Sequence, residues 1–148
     1  MWKCLGYRFD TFQQVWTSDE CFPKWREKYP TPPDFIGMQR IYRKDVDEIS
    51  LRSTQDLARS IPMEHKQQLK RHLLPLGFKG YQLAGLTPNK TRRAQCANWL
   101  LFFREELFGF SIEELKKRRE QKQQEEVANL DDTKSATDDW KPPTKEVF

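Results

Sequence analysis

The chain has 148 residues, a net charge of +4, 13% aromatic and 32% charged residues, and a mean hydropathy of −0.91. This length suits one domain with at most an appendage, and the proportions predict a small aromatic core under a heavily solvated exterior. No stretch reaches the roughly 20 apolar residues that a membrane span requires. The first ten residues have neither the apolar segment of a signal peptide nor the Arg/Ser richness of a transit peptide, so we expect neither.

The three cysteines also narrow the class of protein. Cys4, Cys21 and Cys96 are odd in number and contain no CxxC spacing. This pattern indicates reduced thiols in a reducing compartment and excludes a disulfide-stapled secreted scaffold.

Two short aromatic runs open the chain, at residues 6–10 and 14–17. They alternate in the manner of strands and are separated by three residues, which predicts a β-hairpin that pairs Tyr7 or Phe9 with Val15 or Trp16. Since an isolated hairpin is barely stable in water, we expect it to pack on helices.

Residues 22–36 alternate aromatic side chains with prolines at 23, 30, 32 and 33. Proline at this density permits one helical turn near Trp25 and otherwise extended chain. We interpret Trp25, Tyr29 and Phe35 as core residues, with an exposed docking surface as the alternative, because so many exposed aromatics would promote aggregation.

Residues 37–60 fit neither the helical nor the strand period. We expect an irregular excursion with a short strand near Leu51, or from Leu57 to Ile61. Ser60 is then the predicted N-cap of a helix from Pro62 to Leu74, which Pro75 ends. His65 and His72 lie two turns apart on that helix, about 10.5 Å, so we interpret them as surface residues and not as a pair of metal ligands.

The longest apolar segment is Leu86 to Gly109, preceded by a glycine-rich loop at 77–85 that matches no known phosphate-binding motif. Thr87 is a suitable N-cap, with Pro88 at the first helical position and Gly109 as the stop. The predicted buried face is formed by residues at spacings of four, three and four: Cys96, Leu100, Phe103 and Leu107.

Two aromatic residues do not lie on that face. Trp99 and Phe102 share a side with Gln95 and Glu106. We therefore predict that Trp99 and Phe102 contact a partner.

A capping box follows Gly109, with Ser111 and Glu114 as its two residues and Phe110 and Leu115 as a hydrophobic staple. The helix that it starts has almost no apolar residue after Leu115, so it should project from the domain. We thus predict a compact domain at 1–110, a charged helix at 111–130 and an extended or disordered tail at 131–148. Trp140 and Phe148 are its candidate anchors.

Positive charge is concentrated in one block, residues 59–93, which has eight basic residues and one acidic residue. The basic residues are Arg59, Lys66, Lys70, Arg71, Lys79, Lys90, Arg92 and Arg93. Such a block predicts an anionic partner: a nucleic acid, an acidic protein surface or a membrane surface. The alternative is a solvated helix face.

Several short motifs occur in order between residues 5 and 108: LGYRFD, PKWREKYPTPPDFI, RSIPMEHKQQLK, GFKGY and LTPNKTRRAQCANWLL. Together they resemble the uncharacterised cyanobacterial and plastid family called domain of unknown function 1823. The resemblance implies photosynthetic cells, and hence the plastid stroma, the stromal face of the thylakoid or a cyanobacterial cytoplasm. It implies no chemistry.

The sequence therefore predicts an α+β fold: a small aromatic hairpin packed on a helical core, with a projecting C-terminal helix and a tail. No carboxylate pair or nucleophile with a base matches a catalytic motif, so we expect no enzyme and no cofactor or metal. The first functional hypothesis is a binding or scaffolding protein that docks on a photosynthetic complex as subunit, linker or assembly factor. Its association with the membrane would be peripheral.

Two alternatives remain. One is an RNA- or ribosome-binding protein that uses the basic block, with Trp99, Phe102 or Tyr81 stacked on bases. The other is an enzyme with an anion pocket at the start of the central helix.

Overall fold

The computed structural model describes residues 1–35, 43–80 and 83–131. Their helices and strands are α1 (Trp2–Leu5), β1 (Arg8–Asp10), β2 (Val15–Thr17), α2 (Pro23–Lys28), α3 (Lys44–Ser60), α4 (Gln68–Leu73), α5 (Pro88–Phe102) and α6 (Ile112–Asp131). Turns of 3-10 helix lie at Met63–His65, Leu74–Leu76 and Leu83–Gly85, and a π-helical turn at Phe103–Leu107 follows α5. The predicted α+β class is confirmed.

The predicted hairpin is confirmed. Strands β1 and β2 are antiparallel, with Phe9 opposite Trp16. The Asp10 carboxylate closes the turn because it accepts hydrogen bonds from the backbone N–H groups of Phe12 (2.8 Å) and Gln13 (3.0 Å). The Trp16 ring also lies 5.1 Å from that of Trp2, which attaches the hairpin to α1.

The proline-rich segment supplies the core, as predicted for Trp25, Tyr29 and Phe35, which are 2%, 7% and 7% exposed. The Tyr7 hydroxyl donates to the Tyr29 carbonyl and accepts from Trp25 Nε1 at 3.0 Å. The docking-surface alternative for these aromatics is therefore wrong. One hydrophobic cluster contains Leu5, Tyr7, Cys21, Trp25, Tyr29, Phe35, Leu57, Ile61, Cys96, Trp99, Phe102, Leu107 and Leu115.

The prediction of irregular chain and a short strand before residue 61 is wrong for the described part, because residues 44–60 form the helix α3. Its buried side consists mainly of polar residues: Asp47, Ser50, Ser53, Thr54 and Ser60, with Leu57. The Ser50 carbonyl accepts from both Ser53 Oγ (3.1 Å) and Thr54 Oγ1 (2.5 Å), so these two hydroxyls are satisfied within the helix, whereas Ser50 Oγ donates to the Asp34 carbonyl at 2.6 Å. A search for apolar periodicity finds no stripe in such a helix. Residues 37–42 of that prediction lie outside the described ranges.

The predicted single helix from Pro62 to Leu74 is also wrong. Ser60 does not cap it: Ser60 is the last residue of α3, and its Oγ donates to the Leu57 carbonyl at 2.8 Å. The segment divides into the 3-10 turn at Met63–His65, α4 and a second 3-10 turn that contains Pro75.

The start of α5 matches the prediction, and the buried face does so in part, because Cys96 and Leu107 are buried as predicted. Thr87 Oγ1 accepts from the Lys90 N–H at 3.2 Å, which confirms the N-cap. Trp99 and Phe102 are 0% and 5% exposed, so the prediction that they form an exposed docking surface is wrong. Because α3 and α4 both pack on α5, this helix is buried over more than one stripe. Leu100 and Phe103 are only partly buried.

The capping box of α6 is confirmed. The Ser111 N–H donates to Glu114 Oε2 at 2.7 Å, and the Glu114 N–H donates to Ser111 Oγ at 3.3 Å. Leu115 is buried, whereas residues 120–125 are all exposed. Of the predicted tail at 131–148, Asp131 is the last residue of α6, and the rest, with Trp140 and Phe148, lies outside the described ranges. Within those ranges, no helix has the length and apolarity that crossing a membrane requires.

Candidate functional site

A cavity of about 810 Å³ lies between the end of α3, α4, the loop before α5, and α5 itself. We call it the cationic cleft. Its apolar lining is Ala58, Ile61, Leu69, Phe78, Leu86 and Ala94. Its charged lining is Lys66, Lys70 and Lys90, with no acidic side chain among the lining residues. A cavity of this size and mixture is typical of a binding site.

Asn98 holds one wall of the cleft in place. Its Oδ1 accepts from the Leu69 N–H at 2.9 Å, and its Nδ2 donates to the Lys66 carbonyl at 3.0 Å. The Leu69 N–H lies in the first turn of α4 and has no partner within that helix, so α5 supplies the cap that α4 lacks in its own sequence. The packing of α4 on α5 thus fixes the position of Lys66 and Lys70.

The opposite wall of the cleft begins at Gly77, where the 3-10 turn after α4 ends. Gly77, at φ 86°, donates to the Leu74 carbonyl (3.1 Å), and Phe78 donates to the Leu73 carbonyl (3.2 Å). This pair of hydrogen bonds is a Schellman motif, whose left-handed residue favours glycine. The chain then reverses, so that the half-buried Phe78 lines the cleft.

Lys90 connects α5 to the loop that precedes it. Its Nζ donates to the Gly85 carbonyl at 2.8 Å while the side chain remains exposed. A hydrogen bond to a neutral carbonyl leaves the ammonium charge uncompensated, so Lys90 still attracts an anion. Together with Lys66 and Lys70, it gives the cleft three positive charges.

The structure divides the predicted basic block. Lys66, Lys70 and Lys90 line the cationic cleft. Four other members are exposed and line neither this cleft nor the cavity beside it: Arg59, Arg71, Lys79 and Arg93. The remaining member, Arg92, is 3% exposed. The block is therefore not one continuous contact surface.

A second cavity, of about 490 Å³, lies at the start of α5. We call it the Arg92 cavity, since the Arg92 side chain lines it beside Gln55 and Gln95. It shares Leu86, Thr91 and Gln95 with the cationic cleft, so the two cavities adjoin. Tyr81, one of the predicted stacking residues, lies outside the described ranges.

The π-helical turn after α5 faces α4 through a group of histidine and carboxylate side chains. His65 Nε2 lies 3.6 Å from Glu106 Oε1, and His72 Nε2 lies 3.8 Å from Glu105 Oε1. Gln68 Nε2 contacts His65 Nδ1 at 2.7 Å and donates to Glu105.

The environment of the two histidines differs from the prediction in one case. The side chain of His65 is 14% exposed and its ring packs 5.4 Å from that of Phe102, so the prediction of a surface residue is wrong for His65. His72 is exposed, as predicted. Across the described part of the chain, no group of three or more His, Cys, Asp or Glu side chains is placed to hold a metal ion.

The residues that give the cleft its shape are not recognisable from the sequence alone. Asn98 carries no signal of its own, because its role depends on the backbone of α4, 29 residues earlier in the chain. Ala58 and Ile61 line the cleft because α3 extends to Ser60, where the sequence predicts irregular chain with a short strand near Leu51 or from Leu57 to Ile61. The nearest usable signal was the position of Lys90 directly after a glycine-rich loop.

Comparison with known proteins gives one result. Neither the curated proteins nor the solved structures contain a significant match to the chain. The family model described as Domain of unknown function (DUF1823) matches residues 1–105. These residues hold α1 to α5, both strands, and every residue that lines the cationic cleft and the Arg92 cavity. Since the match covers well over half of its 148 residues, the chain belongs to the DUF1823 family.

Proposed function

We propose that this protein is a non-catalytic binding protein whose cationic cleft docks an acidic, amphipathic segment of a partner protein. One observation carries the proposal: an apolar cavity of about 810 Å³ is lined by three lysines and by no acidic residue. An amphipathic helix buries its apolar face in a groove of this kind, and acidic residues along its edge meet the lysines.

The arrangement of the lysines favours a docked segment over a nucleic acid. Base stacking needs exposed aromatic faces, and the two proposed stacking residues of α5, Trp99 and Phe102, are buried in the core. Lys66 and Lys70 lie beside apolar side chains of the same cavity, among them Leu69 and Phe78. Such a mixture suits a partner that buries apolar area as well as charge.

The C-terminal part is the proposed second contact. Residues 120–125 of α6 are all exposed, whereas the first turns of the helix are anchored by Leu115 and by the Arg118 guanidinium, which donates to the Glu106 carbonyl at 3.1 Å. A helix that is polar on all sides is suited to bridging between bodies. A photosynthetic complex as the partner, with a plastid or cyanobacterial location, belongs to the same proposal and is supported by the family resemblance.

The test places a photocrosslinking amino acid at Gln67, an exposed residue that lines the cleft, in the full chain in photosynthetic cells. We expect one crosslinked protein, and the crosslinked peptide should be acidic and amphipathic. Charge reversal of two cleft lysines, K66E with K70E, should abolish the crosslink. A crosslinked peptide that is neutral or basic would contradict the proposal.

The matched control is K3E with K44E, which makes the same change in net charge at exposed lysines outside the cleft. It should retain the crosslink. Nuclease treatment separates the alternative: a crosslink to RNA, or one that nuclease removes, would support RNA binding and overturn the docking proposal. Truncation after residue 125 tests the arm without removing Leu115 from the core, and should reduce co-purification of a second protein.

A further inference from the structure

Arg92 is a buried cation without a counter-ion in the described structure. Its side chain lies in the second turn of α5, the residue is 3% exposed, and its Nε and Nη2 atoms have no hydrogen-bond partner among the described residues. The ion pairs among the described residues do not include Arg92. A buried guanidinium in this state is strongly destabilising unless an anion compensates its charge.

The surroundings of Arg92 increase the need for an anion. The positive end of the α5 macrodipole lies at Thr87 and Pro88, one turn before Arg92. Thr87 lines the same cavity as Arg92, and no acidic side chain is among the residues that line it. The helix dipole and the guanidinium therefore both contribute positive electrostatic potential in this cavity.

The cavity has room for more than an ion. Its volume is about 490 Å³, within the range of small-molecule sites. Leu51 and Leu86 supply apolar wall, while the amides of Gln55 and Gln95 supply hydrogen-bond donors beside the guanidinium. This combination fits a small organic molecule that carries one oxyanion group.

We propose that the Arg92 cavity binds a small organic phosphate or carboxylate, with the oxyanion on the Arg92 guanidinium. The shared chemistry is a planar or tetrahedral oxyanion, which guanidinium binds through paired N–H donors. The site is separate from the docking proposal, because neither Lys66 nor Lys70 lines the Arg92 cavity. The K66E and K70E variant should therefore retain anion binding whether or not that proposal holds.

The test is calorimetric titration of the full chain with inorganic phosphate and, separately, with succinate, at constant ionic strength set with sodium chloride. We expect one-to-one binding of at least one of the two. R92Q should weaken that binding by about tenfold or more, the loss expected from one charge-assisted hydrogen bond. R93Q is the matched control, because it removes the same charge at the adjacent, exposed position, and it should bind within about twofold of the wild type.

The two titrants identify the source of the oxyanion. Binding of phosphate alone assigns the site to organic phosphates, binding of succinate alone assigns it to carboxylates, and binding of both shows a site that recognises charge. Absence of binding of both by the wild type at roughly 10 mM, or an equal loss in R92Q and R93Q, would overturn the proposal.

A measurement on the wild type keeps the test valid should R92Q fail to fold. Amide chemical shifts should move on addition of the bound anion at Thr87, at residues 89–92 and at Gln95, with small changes elsewhere. Shifts confined to the exposed lysines, without residues 87–92, would equally overturn the proposal.

Discussion

Two independent structural requirements determine that residue 6 is glycine. Its φ of 101° closes a Schellman motif at the end of α1, in which Gly6 donates to the Lys3 carbonyl (3.2 Å) and Tyr7 donates to the Trp2 carbonyl (3.1 Å). A Cβ atom at this position would also lie 2.1 Å from the Glu20 carbonyl oxygen. Only glycine meets both the backbone angle and the space.

G6A should therefore destabilise the protein by about 2 kcal/mol or more, since it adds a backbone clash to the left-handed strain of roughly 1–2 kcal/mol. Urea denaturation of the wild type and the variant measures the difference. The control is G109A, because Gly109 has a similar φ of 87° and nothing within 4 Å of an added Cβ. Equal losses in the two variants would show that the contact with Glu20 contributes nothing.

At the scale of the element, the start of α6 depends on Ser111. Hydrogen bonds from the Ser111 backbone and hydroxyl lower the pKa of the Glu114 carboxyl below its ordinary value of 4.5. A lowered pKa in the folded state means that the capping box stabilises the fold above the unfolded pKa. That contribution is lost as the pH falls through the folded pKa.

The stability difference between the wild type and E114Q should thus shrink as the pH is lowered from 7 towards 3. Denaturant titrations at several pH values measure it. In the wild type, the titration midpoint of the Glu114 carboxyl, measured by NMR, should lie below pH 4.5. S111A should raise this midpoint part of the way to the ordinary value, because the hydroxyl is lost and the backbone N–H of residue 111 remains. A midpoint that S111A leaves unchanged would contradict the role of the hydroxyl.

The elements also show what sequence patterns can and cannot predict. The hairpin, the Thr87 cap and the capping box depend on neighbouring residues, and all three were predictable. Helix α3 was not, because its buried side is mostly hydroxyl and carboxylate groups, which form no apolar stripe in the sequence. On α5, the burial of Cys96 and Leu107 was predictable and that of Trp99 was not. Trp99 donates from Nε1 to Ser60 Oγ at 3.1 Å, a contact between residues 39 positions apart.

The candidate site was less predictable than the fold. Charge counting identifies the basic block, and three of its lysines line one cavity. It did not show that Arg92 is buried among exposed neighbours, because burial of a single helical position depends on which helices pack on it.

At the scale of the whole molecule, the core holds several groups that deprotonate at alkaline pH. Burial raises the pKa of the Cys21 and Cys96 thiols to about 11 and that of the Tyr7 hydroxyl to about 12. Burial raises the pKa of Tyr29 as well, and its hydrogen bond to Asp56 adds to the shift. The folded state therefore holds these protons at a pH where the unfolded state releases them.

Above about pH 9 the unfolded state binds fewer protons than the folded state. The free energy of unfolding should therefore fall as the pH rises from 9 to 11. Denaturant titrations across this range measure the slope. A double variant, C21A with C96A, should show a shallower slope even where its stability at pH 7 is lower. A slope identical to that of the wild type would exclude the thiols as its source.

The hydrophobic cluster formed by the described residues has a consequence for how the protein is synthesised. It joins Leu5 and Tyr7, near the start of the chain, to Leu107 and Leu115, more than 100 residues later. At the usual speed of translation, about 5–20 residues per second, roughly 5 to 20 s separate the synthesis of the two ends of the core. During that interval the aromatic N-terminal segment has no finished core to enter, and exposed apolar side chains of this kind favour aggregation.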